Sequence, residues 1–285
     1  MRAAFRLDGM NPGIYNESDK RMKVTLMGRF DGVLFYTDFD NTFTLPGGKE
    51  ISKANADAVR YFQSEGGLFS VATGRSPNFI GNYSKFFVPN APLITLNGTM
   101  ITSEDGERTL KEFLLDERVL DVVRFLLPME CMQCVYFGNG VTQYNRMTDG
   151  TIEEKMAYYA SLEKPWYKVV TRQAEEYARE VDTKLRERYS DLYEFDRSYA
   201  EGIEIHVKGS GKGACMDWVK AHLDVPVRLT VAAGDYENDI SMIQRADIGY
   251  AVNNAIDAVK QAADRITAAN TEDAIARIIE DLEKR

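Results

Sequence analysis

The chain predicts an α/β fold: a doubly wound, mostly parallel sheet with helices on both faces and an α+β module inserted into it. Three observations predict it. Short runs of β-branched and aromatic residues alternate with helix-period stretches from Val33 onward, the pattern of βαβ units. That rhythm changes after about residue 108 and resumes near 201. The core strands also end in polar segments that suit one another, and an open parallel sheet binds its ligand beyond the carboxyl ends of its strands.

The elements follow in order. Val33 to Tyr36 is the first strand. Ser52 to Glu65 (SKANADAVRYFQSE) is a helix, with a serine N-cap, an apolar face at Ala54, Ala58, Val59 and Phe62, and a stop at Gly66-Gly67. Leu68 to Ala72 is the second strand, Pro77 to Phe87 a helix, and Pro92 to Leu96 the third strand. The inserted module reads αββαβαββ. It has helices at 117–127, 151–162 and 174–189, and strands at 131–137, 141–145, 167–171, 192–196 and 203–207, with Gly138-Asn139-Gly140 as a hairpin turn. The core then continues with a helix at 212–223, a strand at 228–233, a helix at 238–245, a strand at 248–252 and helices to the end. The predicted division is an N-terminal extension over 1–30, a discontinuous core over 31–108 and 201–285, and a cap over 109–200.

Composition narrows the function. The chain has 285 residues, 44% apolar and 28% charged, with a formal net charge of -9, the profile of a folded soluble protein with room for two domains. An acidic balance argues against nucleic acid as partner, because that affinity comes from clustered Lys and Arg. A small phosphorylated metabolite remains compatible, since one pocket can be positive on an acidic protein. Nothing reads as a membrane span or a secretion signal, and Met22 or Met27 could serve as the start. Three cysteines are too few for a disulfide framework, and the Cys131–Cys134 CxxC lacks partners for structural zinc. A cytoplasmic setting is expected, and the oligomeric state is not legible.

Chemistry concentrates at the strand ends. The first ends in Asp38-Phe-Asp40, the second in Thr73-Gly74-Arg75, the third in Asn97-Gly98, and the strand at 228–233 leads into Gly234-Asp235-Tyr-Glu-Asn238-Asp239. Residues two apart on an extended chain point the same way, roughly 6.5 Å apart, so Asp38 and Asp40 can address one small substrate. Carboxylates crowded in a water-poor place repel one another unless a hard cation satisfies them, and Mg2+ suits a few carboxylates, waters and a phosphate oxygen. Lys212, opening a helix after GSG, offers an ammonium beside backbone N–H groups for a phosphate. Each segment alone reads equally well as a turn, a loop or a helix cap; their succession in this order argues for a phosphoryl site.

These motifs resemble the haloacid dehalogenase superfamily, and within it the Cof-type phosphatases with a large α/β cap of the C2 type. DFDNT (Asp38 to Thr42) is similar to the family's DxDxT, ATGR around Thr73 to its second motif, GSGKG to its third, and GDYENDISM to its GDxxND motif. LNGTMI at Leu96 resembles the strand before the cap. The resemblance implies a Rossmann-like core, with Asp38 as the nucleophile that becomes an aspartyl-phosphate and Asp40 as general acid and base. It gives Mg2+ to the Asp38 carboxylate, the Asp40 carbonyl and the Asp235 carboxylate, has Asp239 orient the metal's shell, and has Thr73, Gly74, Lys212 and Asn238 hold the phosphate. Asn41 stands where glycine is commoner, and asparagine tolerates left-handed angles. LPGGKEIS resembles the flap hairpin. Arg75 receives no role, and His206 and His222 read as structural. The expected activity is a phosphatase acting on a sugar phosphate or related phosphomonoester. Phosphomutase activity is the near rival, and a phospho-accepting sensor is the non-enzymatic one, against which Asp40 argues.

Overall fold

A computed structural model describes residues 28–129, 131–137, 141–145 and 149–285. Residues 1–27, with both candidate starts, and the turn expected at 138–140 lie outside the described residues. Phe30, assigned to the extension, is instead buried and packs on the Phe62 ring at 4.7 Å between centroids.

Along the chain, β1 (Val33–Thr37) is buried at every position. The turn Phe39–Phe43 follows it, closed by the Thr44 N–H donating to the Phe39 carbonyl at 2.9 Å, with Asn41 at φ 58. The left-handed residue expected of Asn41 is therefore present. Next, α1 (Lys53–Ser64) begins at Ser52, whose hydroxyl accepts from the Asn55 N–H at 3.1 Å. After β2 (Leu68–Val71), Pro77–Tyr83 is a 3₁₀ segment and not the α-helix to Phe87 that the spacing suggests. Gly81 and Asn82 are weak helix formers, and burial of Phe79, Ile80 and Tyr83 holds the tighter turn.

The third core strand also differs from expectation. β3 (Leu93–Thr95) touches β2's end through one parallel bridge, Ala72 to Ile94, and then folds back on β4 (Met100–Thr102), which pairs with β5 (Thr109–Glu112). Leu96, Asn97 and Gly98 all have positive φ, and three successive left-handed residues reverse the chain.

The cap runs α2 (Val119–Leu126), β6 (Met132–Phe137), β7 (Val141–Asn145), α3 (Ile152–Ser161), β8 (Trp166–Arg172), α4 (Glu175–Tyr189), β9 (Tyr193–Asp196) and β10 (Gly202–Val207). Its sheet is antiparallel in the order β7-β6-β8-β10-β9. The pairing places β5 with the core side and β10 with the cap, so each expected joint, 108/109 and 200/201, shifts by one strand. On β8 and β10, Val169, Ile203 and Ile205 join the apolar cluster under α2 and α4. Lys168, Val170 and Glu204, alternating with them, face a cavity toward the core.

The remaining core is α5 (Lys212–His222), β11 (Leu229–Gly234), α6 (Ile240–Arg245), β12 (Ile248–Ala251), α7 (Asp257–Ala262), β13 (Arg265–Ile266) and α8 (Ala274–Glu283). The helix expected from Asn238 begins two residues later, because Glu237–Asp239 forms a 3₁₀ turn. The parallel core sheet has the order β13-β12-β11-β1-β2. Phe35 and Phe69 point into a layer with Phe62 and Ile278, while Leu34 and Tyr36 point into one with Met216 and Val259. Helices thus cover both faces, as the fold class predicts. The chain leaves β1 in one direction for β2 and returns on its other side as β11, which makes the β1/β11 boundary the topological switch point.

Candidate active site

Asp38 follows β1 directly, its N–H donating to the Ala233 carbonyl of β11 at 2.8 Å. Asp235 follows β11. Two residues far apart in sequence therefore emerge side by side at the switch point, because β1 and β11 pair in register, Thr37 with Ala233. Lys212, fully buried in the first turn of α5, donates to Asp38 Oδ1 at 2.5 Å and to Asp239 Oδ1 at 2.6 Å. Asp239 Oδ2 accepts from the N–H groups of Asp235 at 2.9 Å and Tyr236 at 3.2 Å. Both oxygens of Asp239 are thus engaged, and its carboxylate ties the Gly234–Asp239 turn to Lys212. Asp235 Oδ1 accepts from the Thr42 hydroxyl at 3.1 Å.

Carboxylate oxygens of Asp38, Asp235 and Asp239 lie within 4.8 Å of one another, all buried in the cluster. Burial first, then the neighbouring acids against Lys212, pushes Asp38 well above the ordinary carboxylate range. Burial and then Asp239 raise Asp235 to about 7. Burial alone would lower Lys212, but Asp239 and Asp38 outweigh it and hold the ammonium charged. Three converging carboxylates with only one ammonium among them form a donor set of hard oxygens suited to a divalent cation. The residues present fit such an ion.

Asp40 stands outside this cluster. Its carboxylate accepts a fork from Arg75, Nε to Oδ2 at 2.8 Å and an Nη to Oδ1 at 2.6 Å. The Arg75 guanidinium lies 5.1 Å from the Phe39 ring centroid and 5.4 Å from that of Tyr83, and the Asp40 hydrogen bond leads the effects that raise it above its ordinary value. Thr73 is buried, its hydroxyl accepting from the Arg75 N–H at 3.2 Å, and Gly74 lines the same cavity. Asn238 donates one of its two amide N–H groups to Asn97 Oδ1 at 3.1 Å, and its buried Oδ1 has no partner. That oxygen can accept from a bound water, and the second N–H of the amide is available to donate to a phosphate oxygen.

A cavity of about 570 Å³ opens between these core residues and the cap. Its cap wall includes Lys168, Val170, Ser198, Tyr199 and Glu204. The sequence reading named Arg75 and Asn97 at strand ends without giving them a role, and did not single out Lys168, Ser198 or Glu204. Arg75 closes the ATGR motif and its role could have been found there, whereas the cap residues carry no local signal beyond the alternation of their strands. His206, buried, contacts Ser210 Oγ at 2.7 Å and Asp196 at 3.0 Å where β10 meets the turn before α5, consistent with a structural role.

The paired switch-point aspartates, the buried lysine and the inserted cap define a phosphoryl-processing enzyme with a Rossmann-like core. A family model of haloacid dehalogenase-like hydrolases matches residues 35–279, and the chain belongs to that family. It is a phosphatase of this kind, acting on phosphorylated small molecules. Two relatives from Bacillus subtilis, both 5-amino-6-(5-phospho-D-ribitylamino)uracil phosphatases, are 25% identical over 269 residues and 28% identical over 250. The alignments cover 87% and 86% of this chain, and 96% and 94% of theirs. Among solved structures, a haloacid dehalogenase-like hydrolase from B. subtilis aligns at TM-score 0.74 with 22% identity, covering 87% of this chain and 98% of its own. A subclass IIB sugar phosphatase aligns at 0.70 with 21% identity, covering 87% and 98%. These likenesses show the fold. No helix among the described residues is long and apolar enough to cross a membrane.

Proposed function

We propose that the protein is a magnesium-dependent phosphatase that hydrolyses a sugar phosphate or a related small phosphomonoester through an aspartyl-phosphate on Asp38. The observation that carries this reading is the convergence of Asp38, Asp235 and Asp239 within 4.8 Å, with Lys212 between two of them. Asp38, Asp235 and the Asp40 backbone carbonyl would hold the ion, with Asp239 fixing the turn around them. When bound, Mg2+ would relieve the repulsion among the carboxylates and draw charge from the phosphoryl oxygens.

In the proposed cycle an oxygen of Asp38 attacks phosphorus while the ester P–O bond breaks, and Asp40 gives its proton to the departing alkoxide. Asp40 then takes a proton from the water that attacks the aspartyl-phosphate, releasing inorganic phosphate and restoring Asp38. For that work the Asp40 carboxyl must turn away from Arg75, so the ion pair is its resting partner. Thr73, the Gly74 backbone, Lys212 and the remaining amide N–H of Asn238 hold the phosphoryl oxygens. The relatives' activity on a phosphorylated ribityl compound favours a sugar-like leaving group. The free thiols of Cys131 and Cys215 suit the cytoplasm as setting.

The test is phosphate release from an aryl phosphate and a panel of phosphorylated metabolites, with and without Mg2+, beside Asp38→Asn. Turnover is expected to need the ion and to drop by roughly 10³-fold or more in the variant, with its circular dichroism unchanged. Turnover surviving in Asp38→Asn would remove Asp38 as nucleophile.

A further inference from the structure

Lys168 on β8 and Glu204 on β10 form an ion pair in the cap wall of the cavity, with side chains only 2% and 5% exposed. Glu204 Oε1 also accepts from the Ser198 hydroxyl at 2.7 Å, and the Lys168 ammonium reaches the Gly74 carbonyl on the core side at 3.4 Å. The pair sits above the Asp38 cluster, where the part of a substrate beyond its phosphate would lie. Burying two charges is costly and contributes little net stability compared with an apolar pair, so its placement in a cavity calls for a use other than stability.

The charges around the cavity limit what that use is. Among the described residues lining it, the two cations are each held by a carboxylate, Arg75 by Asp40 and Lys168 by Glu204, and Lys212 just behind is held by Asp38 and Asp239. Asp235 adds a further carboxylate. A leaving group with its own phosphate or carboxylate would meet Glu204 across a space where like charges are poorly screened. A neutral alcohol with several hydroxyls would instead donate to Glu204 and accept from Lys168. A buried polar pair of this kind rejects partners that fail to match it more strongly than an apolar wall does.

We propose that the Lys168–Glu204 pair determines specificity for the leaving group, accepting an uncharged polyhydroxylated alcohol and rejecting one that carries a second anionic group. The proposal rests on the phosphatase reading above and names the substrate class of that same site.

The experiment measures kcat/KM for matched esters with the full chain and Mg2+: fructose 6-phosphate against fructose 1,6-bisphosphate, and glycerol phosphate against 3-phosphoglycerate. The wild-type protein is expected to favour the member of each pair whose leaving group carries no anionic group by about tenfold or more. Glu204→Gln, which leaves the cap wall net positive, should narrow that ratio by about tenfold, and Lys168→Gln, which leaves it net negative, should widen it. Because each ratio is taken within one variant, a general loss of activity or fold does not move it. If a variant fails to fold, the other and the wild-type ratio still decide. A wild-type preference for the bisphosphate or the phosphoglycerate, or ratios that both variants leave unchanged, would overturn the proposal. Absence of phosphate release from every ester in the wild-type protein would instead overturn the phosphatase reading.

Discussion

Asp235, raised from 3.8 to about 7 by burial and by Asp239, has a larger appetite for a proton folded than unfolded. Its ionisation therefore costs stability: nothing below about pH 4, more as pH rises toward 7, and the full amount above. A divalent ion bound by that carboxylate removes the cost and competes with the proton. We expect the protein without metal to lose thermal stability from about pH 5 to about pH 8, and Mg2+ to raise Tm more at the higher pH. A hundredfold excess over the dissociation constant gives about 2.7 kcal/mol, or several degrees for a chain of this size. Equal Mg2+ shifts at the two pH values would contradict this assignment. Asp40→Asn is expected to cost roughly 10²- to 10⁴-fold in kcat, and less with an aryl phosphate whose leaving group needs no proton. The same loss on both esters would show that Asp40 is not the acid. Asp38, Asp40, Asp235 and Lys212 were legible because each lies in a short local pattern. The Arg75–Asp40 fork was not, since its partners are 35 residues apart and meet only when β1 and β2 pair.

At the scale of elements, the reversal at Leu96–Gly98 and the turn before α5 position Lys212 between them. Gly98 has φ +85, and a Cβ there would fall 2.2 Å from the Gly211 carbonyl carbon; Gly211, at φ +105, is the residue that opens α5. The Gly211 N–H also donates to the Gly98 carbonyl at 3.2 Å. Gly98→Ala is therefore expected to destabilise the fold by about 1–3 kcal/mol and to lower activity by moving α5's first turn. Gly81→Ala, with nothing within 4 Å of its Cβ position, should leave both within about 0.5 kcal/mol. Chemical denaturation and phosphate release of the pair measure this, and equal effects would refute it. α1 and the cap's αββαβαββ order were readable from period and capping. The β3–β4 hairpin was not, because three successive left-handed residues have no simple sequence signature when only one of them is glycine.

Across the whole molecule, one polar chain joins core to cap. Asn238 donates to Asn97 Oδ1, Asn97 Nδ2 donates to Ser198 Oγ at 2.7 Å, Ser198 donates to Glu204, and Glu204 pairs with Lys168. Asn97 is the link between the Gly234–Asp239 turn and the cap, being fully buried at their junction. Removing a bridging amide from a buried network costs about 1–3 kcal/mol. Asn97→Ala should accordingly lower kcat/KM about tenfold or more and speed limited proteolysis within 197–202. An unchanged cleavage rate there would show that the chain does not hold the cap.

Sequence by itself determined the doubly wound core, the inserted cap and the order of the phosphoryl motifs, because periodicity, caps and strand-end residues are local consequences of backbone geometry. Tertiary structure alone decided where the cap's charges fall, which carboxylate Arg75 holds and that Asp239 anchors a turn. Those outcomes depend on strand pairing and sheet register between segments distant in the chain, and a register shift of one residue would turn Lys168 and Glu204 away from the cavity.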